Sequence, residues 1–389
     1  MKIMDYFAES LKLHKKHRGK LETSVKMELN SKDDLSLAYS PWVAEPCNVI
    51  AENPEAAYDY TLKWNTVAVI SDGSAVLWLG NIWGLAGLPV MEWKCALLKE
   101  FGWVNAFPII LDTQDTEEII ATIKNIAPTF GGINLEDFSA PRCFEIEERL
   151  KEELSIPVFH DDQHGTAIVT LAGLINGLKI TGKKKEDIKV VVNGVGAAGV
   201  AITKLLLAYG VKDIVMVDSR GTIHTGRTDL NPTKEMLTNI TNTACVLDPT
   251  SKECITGWLA EAVSGRDVFV GVSVAGALTK DMVKSMNKDP MIFAMANPTP
   301  EIMPEDAKEA GAKIIATGRS DFPNQLNNVL VFPGLFKWAL ENRVVQITEE
   351  MKLSAAQALA DYVQNPTPDE IIPSPLDKNV AEMIAKVIK

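Results

Sequence analysis

The sequence predicts an α/β protein of two units: an N-terminal catalytic domain, then a Rossmann-type, doubly wound parallel sheet that binds a dinucleotide. Three observations carry this reading. β-rich apolar runs alternate with helical stretches along most of the chain, the pattern of βαβ units. The run IKVVVN leads into Gly194-Val195-Gly196-Ala197-Ala198-Gly199 and a helical VAITKLLLAYG, and the next strand, DIVMVD, ends on Asp218, 19 residues after Gly199. Finally, two acidic pairs, Glu136-Asp137 and Asp161-Asp162, each follow an apolar run (Phe130 to Leu135, Ile156 to Phe159), so both fall at strand C-terminal ends.

At 389 residues the chain exceeds one ordinary core, and two domains are expected, residues 1–163 and 164–389. Hydrophobic content of 46% and charged content of 23% are those of a soluble globular protein. No apolar window is long enough for a membrane span, and the N-terminus lacks a secretory signal. A net charge of −12 argues against a nucleic-acid partner. The five cysteines are scattered without C-x-x-C spacing, which predicts reduced thiols in a cytoplasmic protein and no zinc site.

Taken in order, residues 1–30 read as a polar, helical lead-in whose basic cluster, Lys12 to Lys20, is a solvated face. Tyr39, close before Pro41, is expected on a strand end or loop, with a helix beginning near Pro41. VAVIS and AVLWLG flank the turn dipeptide Asp72-Gly73 and suggest a hairpin. Lys94 then falls inside an apolar helix, MEWKCALLKEF; burial there would lower its pKa and make it usable as a base. AFPIILD is a strand, TEEIIATIKNIAP a helix, CFEIEERLKEEL a helix, and GTAIVTLAGLINGLKITG an apolar helix linking the units. Strands follow at DVFVGVS, MIFAMA and KIIATG, a helix over 339–362, and a Pro-rich stretch before a last short helix. No internal repeat or low-complexity segment is present.

The glycine loop has a physical task. Its first glycine makes the tight turn, its second lets backbone N–H groups approach a pyrophosphate, and the helix N-terminus favours the negative charge. Asp218 would accept from a ribose hydroxyl, which leans towards NAD; Arg220 leaves NADP open. The acidic pairs repel one another unless a cation lies between them, and a hard ion such as Mg²⁺ prefers oxygen ligands, although each pair alone reads equally as a helix cap. Asn297 and the loop pair Asn327-Asn328 lie where open parallel sheets bind ligands, and alone would read as turn residues.

Beyond these patterns, SDG…LGNI, APTFGGINLEDFSAPRCFEIEERL, PVFHDDQHGTA, FAMANPTPE and ATGRSDFPNQLNNVL together resemble the small bacterial type of malic enzyme, from about Lys20 to the C-terminus. That family oxidises L-malate with NAD(P)⁺ and decarboxylates the product to pyruvate, using Mg²⁺ or Mn²⁺. The resemblance implies an N-terminal malic-enzyme catalytic domain, with Glu136, Asp137 and Asp162 as metal ligands and Asp161 hydrogen-bonded beside the base. Lys94 would be the general base and Tyr39 the general acid, while Asn297 and one or both of Asn327 and Asn328 hold malate. Gly194 to Gly199 match the dinucleotide loop. Arg142 is the candidate for a substrate arginine, and a homodimer with sites near its interface is implied. Malolactic conversion of malate to lactate uses nearly the same residues and is the alternative activity; a catalytically inactive dinucleotide-binding protein is the alternative of another class.

One departure stands out. Trp42, Trp64, Trp78, Trp83, Trp93, Trp103 and Trp338 fall where the family pattern has glycine, and a tryptophan is penalised wherever the glycine had positive φ. A tolerant divergent lineage and a remodelled enzyme are open readings. The one-directional pattern favours a third: a stop-type codon that the source reads as glycine, rendered here as tryptophan. UGG codons in the coding DNA would end it.

Overall fold

The structure, a computed structural model, describes residues 6–77 and 79–388. Two parallel sheets organise it. The first contains β1 (Thr66–Ser71), β2 (Asn105–Ile110), β3 (Gly132–Leu135) and β4 (Val158–His160), in the order β2-β1-β3-β4. The second contains β5 (Lys189–Asn193), β6 (Asp213–Asp218), β7 (Gly221–Thr222), β8 (Val268–Gly271), β9 (Met291–Ala294) and β10 (Ile314–Thr317), in the order β10-β9-β8-β5-β6-β7. Only β7 runs antiparallel. The chain leaves β5 towards β6 and returns on the other side at β8, so the switch point where such sheets bind nucleotides lies beside the glycine loop after β5.

Strand register places the acids. Leu135 of β3 pairs with His160 of β4, so the residues that follow, Glu136-Asp137 and Asp161-Asp162, emerge side by side at one sheet end. The second pair opens the helix Asp161–Thr181, almost wholly buried, which carries the chain from one sheet to the other. One apolar core follows it, joining Val67, Val69 and Phe159 of the first sheet to Val190, Val192 and Phe293 of the second. Phe332, Leu335 and Phe336 of the helix Phe332–Glu341 belong to the same core, so C-terminal residues also close the first sheet.

Three expectations are corrected and one helix is added. Among the described residues no hairpin follows β1: after Asp72-Gly73 one bridge is found, Val76 to Gly80, and Trp83 begins the helix Trp83–Gly102. The loop returns at once (Ile82 N–H donates to Gly73 O, 3.1 Å), leaving no length for a second strand. The helix expected over 339–362 is two, Phe332–Glu341 and Glu349–Tyr362, divided at Arg343 (φ 50°) and restarted by Thr348, which caps Met351 N–H. A helix Lys32–Ala38 precedes Tyr39; its capping box, Ser31 with Asp34, was the signal in the sequence. Cys245 and Cys254 form a disulfide, brought to a Cα separation of 4.4 Å by the loop between them, so the thiols are not all reduced; Cys47, Cys95 and Cys143 are free. No helix among the described residues is long and apolar enough to cross a membrane.

Two tryptophans carry left-handed backbone: Trp83 (φ 64°) and Trp103 (φ 58°), the C-cap of its helix. Both side chains are more than half exposed. Trp42, Trp64, Trp93 and Trp338 are not in that region, and Trp78 lies outside the described residues. Trp83→Gly and Trp103→Gly are each expected to stabilise the protein by about 1 kcal/mol, since little burial is lost and the αL penalty is removed. Trp338→Gly should do the opposite, because that side chain is buried in the core. Thermal melts of the three variants check this; a lowered Tm for both Trp83→Gly and Trp103→Gly would refute the strain argument.

Candidate active site

The first strand ends assemble a carboxylate cluster. Glu136 and Asp137 are buried, Asp162 half-buried, and each offers an oxygen within 4.8 Å of the others, the one such group among the described residues. Asp137 sits at φ 56°, strained for a non-glycine residue, and its backbone N–H donates to Asp162 Oδ2 at 2.7 Å. Asp137 Oδ2 is buried with no hydrogen-bond partner. Burial raises the pKa of both Glu136 and Asp137, and the charge of Asp162 raises each further; Lys94 only partly offsets this, and both stand above neutral. Asp162 goes the other way: burial would raise it, but the hydrogen bond and charge of His160 hold it below the ordinary range. A site that would rather hold protons than three charges, with an orphaned carboxylate oxygen, fits a divalent cation with oxygen ligands.

Lys94 enters from the helix Trp83–Gly102, buried, with Nζ 2.6 Å from Asp161 Oδ2, 2.8 Å from Glu136 Oε1 and 4.4 Å from the Phe332 ring centroid. Burial lowers its pKa, as the sequence suggested, but Asp161 and Glu136 outweigh this and raise it, so with both carboxylates charged Lys94 is an ammonium. The expectation of a neutral amine from burial alone is corrected by these two neighbours. Asp161 is fully buried; its Oδ1 has no partner and occupies the space a Cβ on Gly165 would need (2.0 Å), which fixes glycine one turn later.

A cleft of about 690 Å³ opens from this cluster towards the second sheet. Asp137, Asp162, Gly196, Ala197, Ala198, Gly199, Asn297, Asn327 and Asn328 all line it. Asn327 accepts from Val329 N–H (3.0 Å) as a cap, whereas the Asn328 amide has no protein partner and is the freer of the two for a ligand. A Cβ on Gly199 would lie 2.0 Å from Gly194 O, while one on Gly196 would meet nothing within 4 Å. Closure of the turn and an open approach at its second glycine are what a pyrophosphate cradle requires. Gly194, Val195 and Asp218 line an adjoining cavity on the other side of the loop. Asp218 itself is ion-paired: Arg227 at 2.8 Å and Lys234 at 2.6 Å. Burial would raise its pKa, but these hydrogen bonds outweigh it and hold the carboxylate charged.

Two sequence candidates neither line the cleft nor join the carboxylate–lysine cluster beside it. Arg142 pairs with the buried Asp72 carboxylate and does not line it. Tyr39 is 69% exposed, on an arm whose helices Tyr6–His17, Lys32–Ala38 and Ala44–Glu52 bury no residue. Sequence reasoning missed a buried relay behind the cluster: His160 Nδ1 accepts from Gln163 (2.7 Å), and Glu147 accepts from Gln163, His164 and the His160 N–H. The H-D-D-Q-H run was its only signal.

Comparison with known proteins agrees with this geometry. The family model for the malic enzyme N-terminal domain matches residues 18–151, and that for the malic enzyme NAD-binding domain matches 163–388. The chain is 57% identical to a bifunctional malic/malolactic enzyme of Bacillus subtilis, covering 98% of this chain and 91% of that one. It is 56% identical to an NAD-dependent malic enzyme of Geobacillus stearothermophilus, over 95% and 76% respectively. The crystal structure of an NAD-dependent malic enzyme from Thermotoga maritima superposes with a TM-score of 0.93 at 48% identity, covering 98% of both chains. That of a malic enzyme from Pyrococcus horikoshii gives 0.91 at 46%, over 98% and 89%. With Asp137 and Asp162 of the carboxylate cluster and the glycine loop lining one cleft, the chain belongs to the malic enzyme family and is an NAD(P)-dependent malic enzyme.

Proposed function

We propose that this cleft converts L-malate to pyruvate and CO₂ with Glu136, Asp137 and Asp162 holding Mg²⁺ or Mn²⁺, Lys94 and Tyr39 moving protons, and Asp161 positioning Lys94. The observation that carries it is Lys94 Nζ within 2.8 Å of both Glu136 and Asp161, beside a carboxylate cluster with an orphaned oxygen. A dinucleotide bound along Gly194 to Gly199 would supply the hydride acceptor for C2 of malate, and a divalent ion held by Glu136, Asp137 and Asp162 would supply Lewis-acid polarisation.

The chain's own residues do the rest. Lys94 accepts the C2 hydroxyl proton once the negative charge beside it is cancelled, with Asp161 fixing its ammonium head. Asn297 and the Asn327-Asn328 loop orient the diacid across the cleft. Tyr39 donates a proton to C3 after CO₂ leaves. In one copy of the chain Tyr39 is exposed on its arm, so it acts in the site of a second copy, and the apolar side chains of that arm (Leu35, Leu37, Trp42, Val43) pack against it as a homodimer. The dinucleotide loop Gly194 to Gly199 holds the pyrophosphate.

A coupled assay tests this reading: malate with NAD⁺ or NADP⁺ and Mn²⁺ should yield pyruvate and reduced cofactor in equal amounts, and a chelator should remove at least 90% of the rate, roughly the scale of losing one Lewis acid. Lactate without net reduced cofactor would instead favour malolactic conversion, the second activity in the name of the Bacillus subtilis relative. Dinucleotide binding without either product would defeat both.

A further inference from the structure

Two neighbouring strands separate just before they reach the cleft. β8 and β9 pair as far as Gly271 and Ala294, and Met295 N–H still donates to Gly271 O at 2.9 Å. Beyond that point the chains diverge, one to Ser273 and the other to Asn297, and both residues line the cleft. The N–H groups there have left the ladder and need other acceptors. Glu301 supplies them. Its Oε1 accepts from Ser273 N–H (2.8 Å) and Ser273 Oγ (3.1 Å), and its Oε2 accepts from Ala296 N–H (3.0 Å).

This carboxylate is fully buried, and among the described residues no cation pairs with it. It packs on Gly271, where a Cβ would lie 2.4 Å from its carboxyl carbon, so glycine is required at the end of β8. The backbone laces the same two loops together: Gly276 N–H donates to Pro300 O (3.1 Å) and Leu278 N–H to Glu301 O (3.0 Å). A third strand joins through Asn193, the last residue of β5. Its Nδ2 donates to Ser273 Oγ at 2.7 Å, which leaves the hydroxyl proton for Glu301. One hydrogen-bonded line, Asn193–Ser273–Glu301–Ala296, therefore runs from the foot of the glycine loop to the residue before Asn297. On its other side Asn297 is bounded by Gly318, where a Cβ would lie 2.7 Å from Asn297 Nδ2.

We infer that Glu301 is a positioning residue for hydride transfer: by tying the β8 and β9 loops together it holds Asn297, and the malate that Asn297 orients, at a set distance from the glycine loop. The inference rests on the malate reading of the cleft. A carboxylate is needed because the two loops donate to two different oxygens. A glutamine of the same volume has one acceptor oxygen and one NH₂ group, so in either orientation one loop is left with a donor facing a donor. Misplacement of reacting groups by roughly 1 Å costs about 100-fold in rate.

Steady-state kinetics of Glu301→Gln with NAD⁺, Mn²⁺ and either L-malate or malate deuterated at C2 test this. The ratio kcat/KM should fall about 10- to 100-fold, KM for malate should rise, and the deuterium isotope effect on kcat should increase as hydride transfer becomes the slow step. Binding of 5′-ADP, read by calorimetry, should stay within about twofold. A protein that is merely destabilised loses kcat in proportion to its folded fraction and moves neither KM nor the isotope effect. Ser273→Ala cuts one link and keeps the Ser273 N–H, so it should shift both readouts in the same direction and more weakly; it decides the matter if Glu301→Gln does not fold. KM and isotope effect both unchanged, in folded Glu301→Gln or failing that in Ser273→Ala, overturn the positioning role and leave the malate reading intact. Wild-type protein that does not oxidise malate overturns both.

Discussion

Replacing Lys94 with methionine is expected to lower kcat by about 10²–10⁴, the range for removing one acid–base group, while dinucleotide binding persists. Methionine keeps an apolar stem of similar length and deletes the ammonium that lies over the Phe332 ring. Deletion removes one partner from the buried Lys94–Asp161 and Lys94–Glu136 contacts, a change that costs about 3–5 kcal/mol in other buried pairs. The variant should therefore melt lower without metal and recover part of the loss with Mn²⁺, which restores positive charge next to Glu136. The same variant tests where Tyr39 acts. Lys94→Met and Tyr39→Phe proteins, each nearly inactive, should regain about a quarter of wild-type activity when mixed and allowed to exchange subunits, because each heterodimer rebuilds one complete site. Wild-type turnover in Lys94→Met would remove the lysine from the mechanism. No recovery on mixing, with Tyr39→Phe inactive, would place Tyr39 in its own chain's site.

How far the sequence anticipates this arrangement depends on whether a feature is local. The glycine loop, Asp218 and the strands around them are legible because one βαβ unit contains both the pattern and its partners. The two acidic pairs are legible as strand ends, but their convergence depends on β3 and β4 being neighbours in register, Leu135 opposite His160, which nothing in either segment encodes. Lys94 shows the limit in another way. Its burial was readable from Trp83–Gly102 as an apolar helix, yet the sign of its pKa shift depends on Asp161, 67 residues away, and could not be. The expected hairpin fails for the same reason: alternation in AVLWLG suggests a strand, but among the described residues its bridge is internal, Val76 to Gly80, and not to β1. Tyr39 is the extreme case, since in the proposed homodimer its surroundings would be completed by a second copy of the chain.

The carboxylate cluster makes a second large effect predictable, with a sign set by linkage. Glu136 and Asp137 have folded-state pKa values raised above the ordinary carboxylate range to above neutral, so at neutral pH the metal-free protein holds protons there that the unfolded chain has released. Their contribution to stability is therefore present below the unfolded carboxylate range and is lost as pH rises through the folded values. A divalent ion replaces those protons, so binding releases them, and each proton displaced steepens apparent affinity by about tenfold, or 1.4 kcal/mol, per pH unit. The rise in Tm produced by saturating Mn²⁺ over chelator should thus be small at pH 6 and widen steadily towards pH 8.5, because ligand-induced stabilisation grows as RT ln(1 + [L]/Kd). Asp162→Asn removes one anionic ligand while an amide oxygen remains to accept from His160 and Asp137 N–H, and should abolish the metal-dependent shift together with turnover. Calorimetric titration of Mn²⁺ in two buffers of different ionisation enthalpy counts the protons directly. An ion-induced Tm shift that is the same at both ends of the pH range, or no proton release in the titration, would mean the three carboxylates do not share the ion. The protons they hold in its absence would then be only the consequence of burying like charges together.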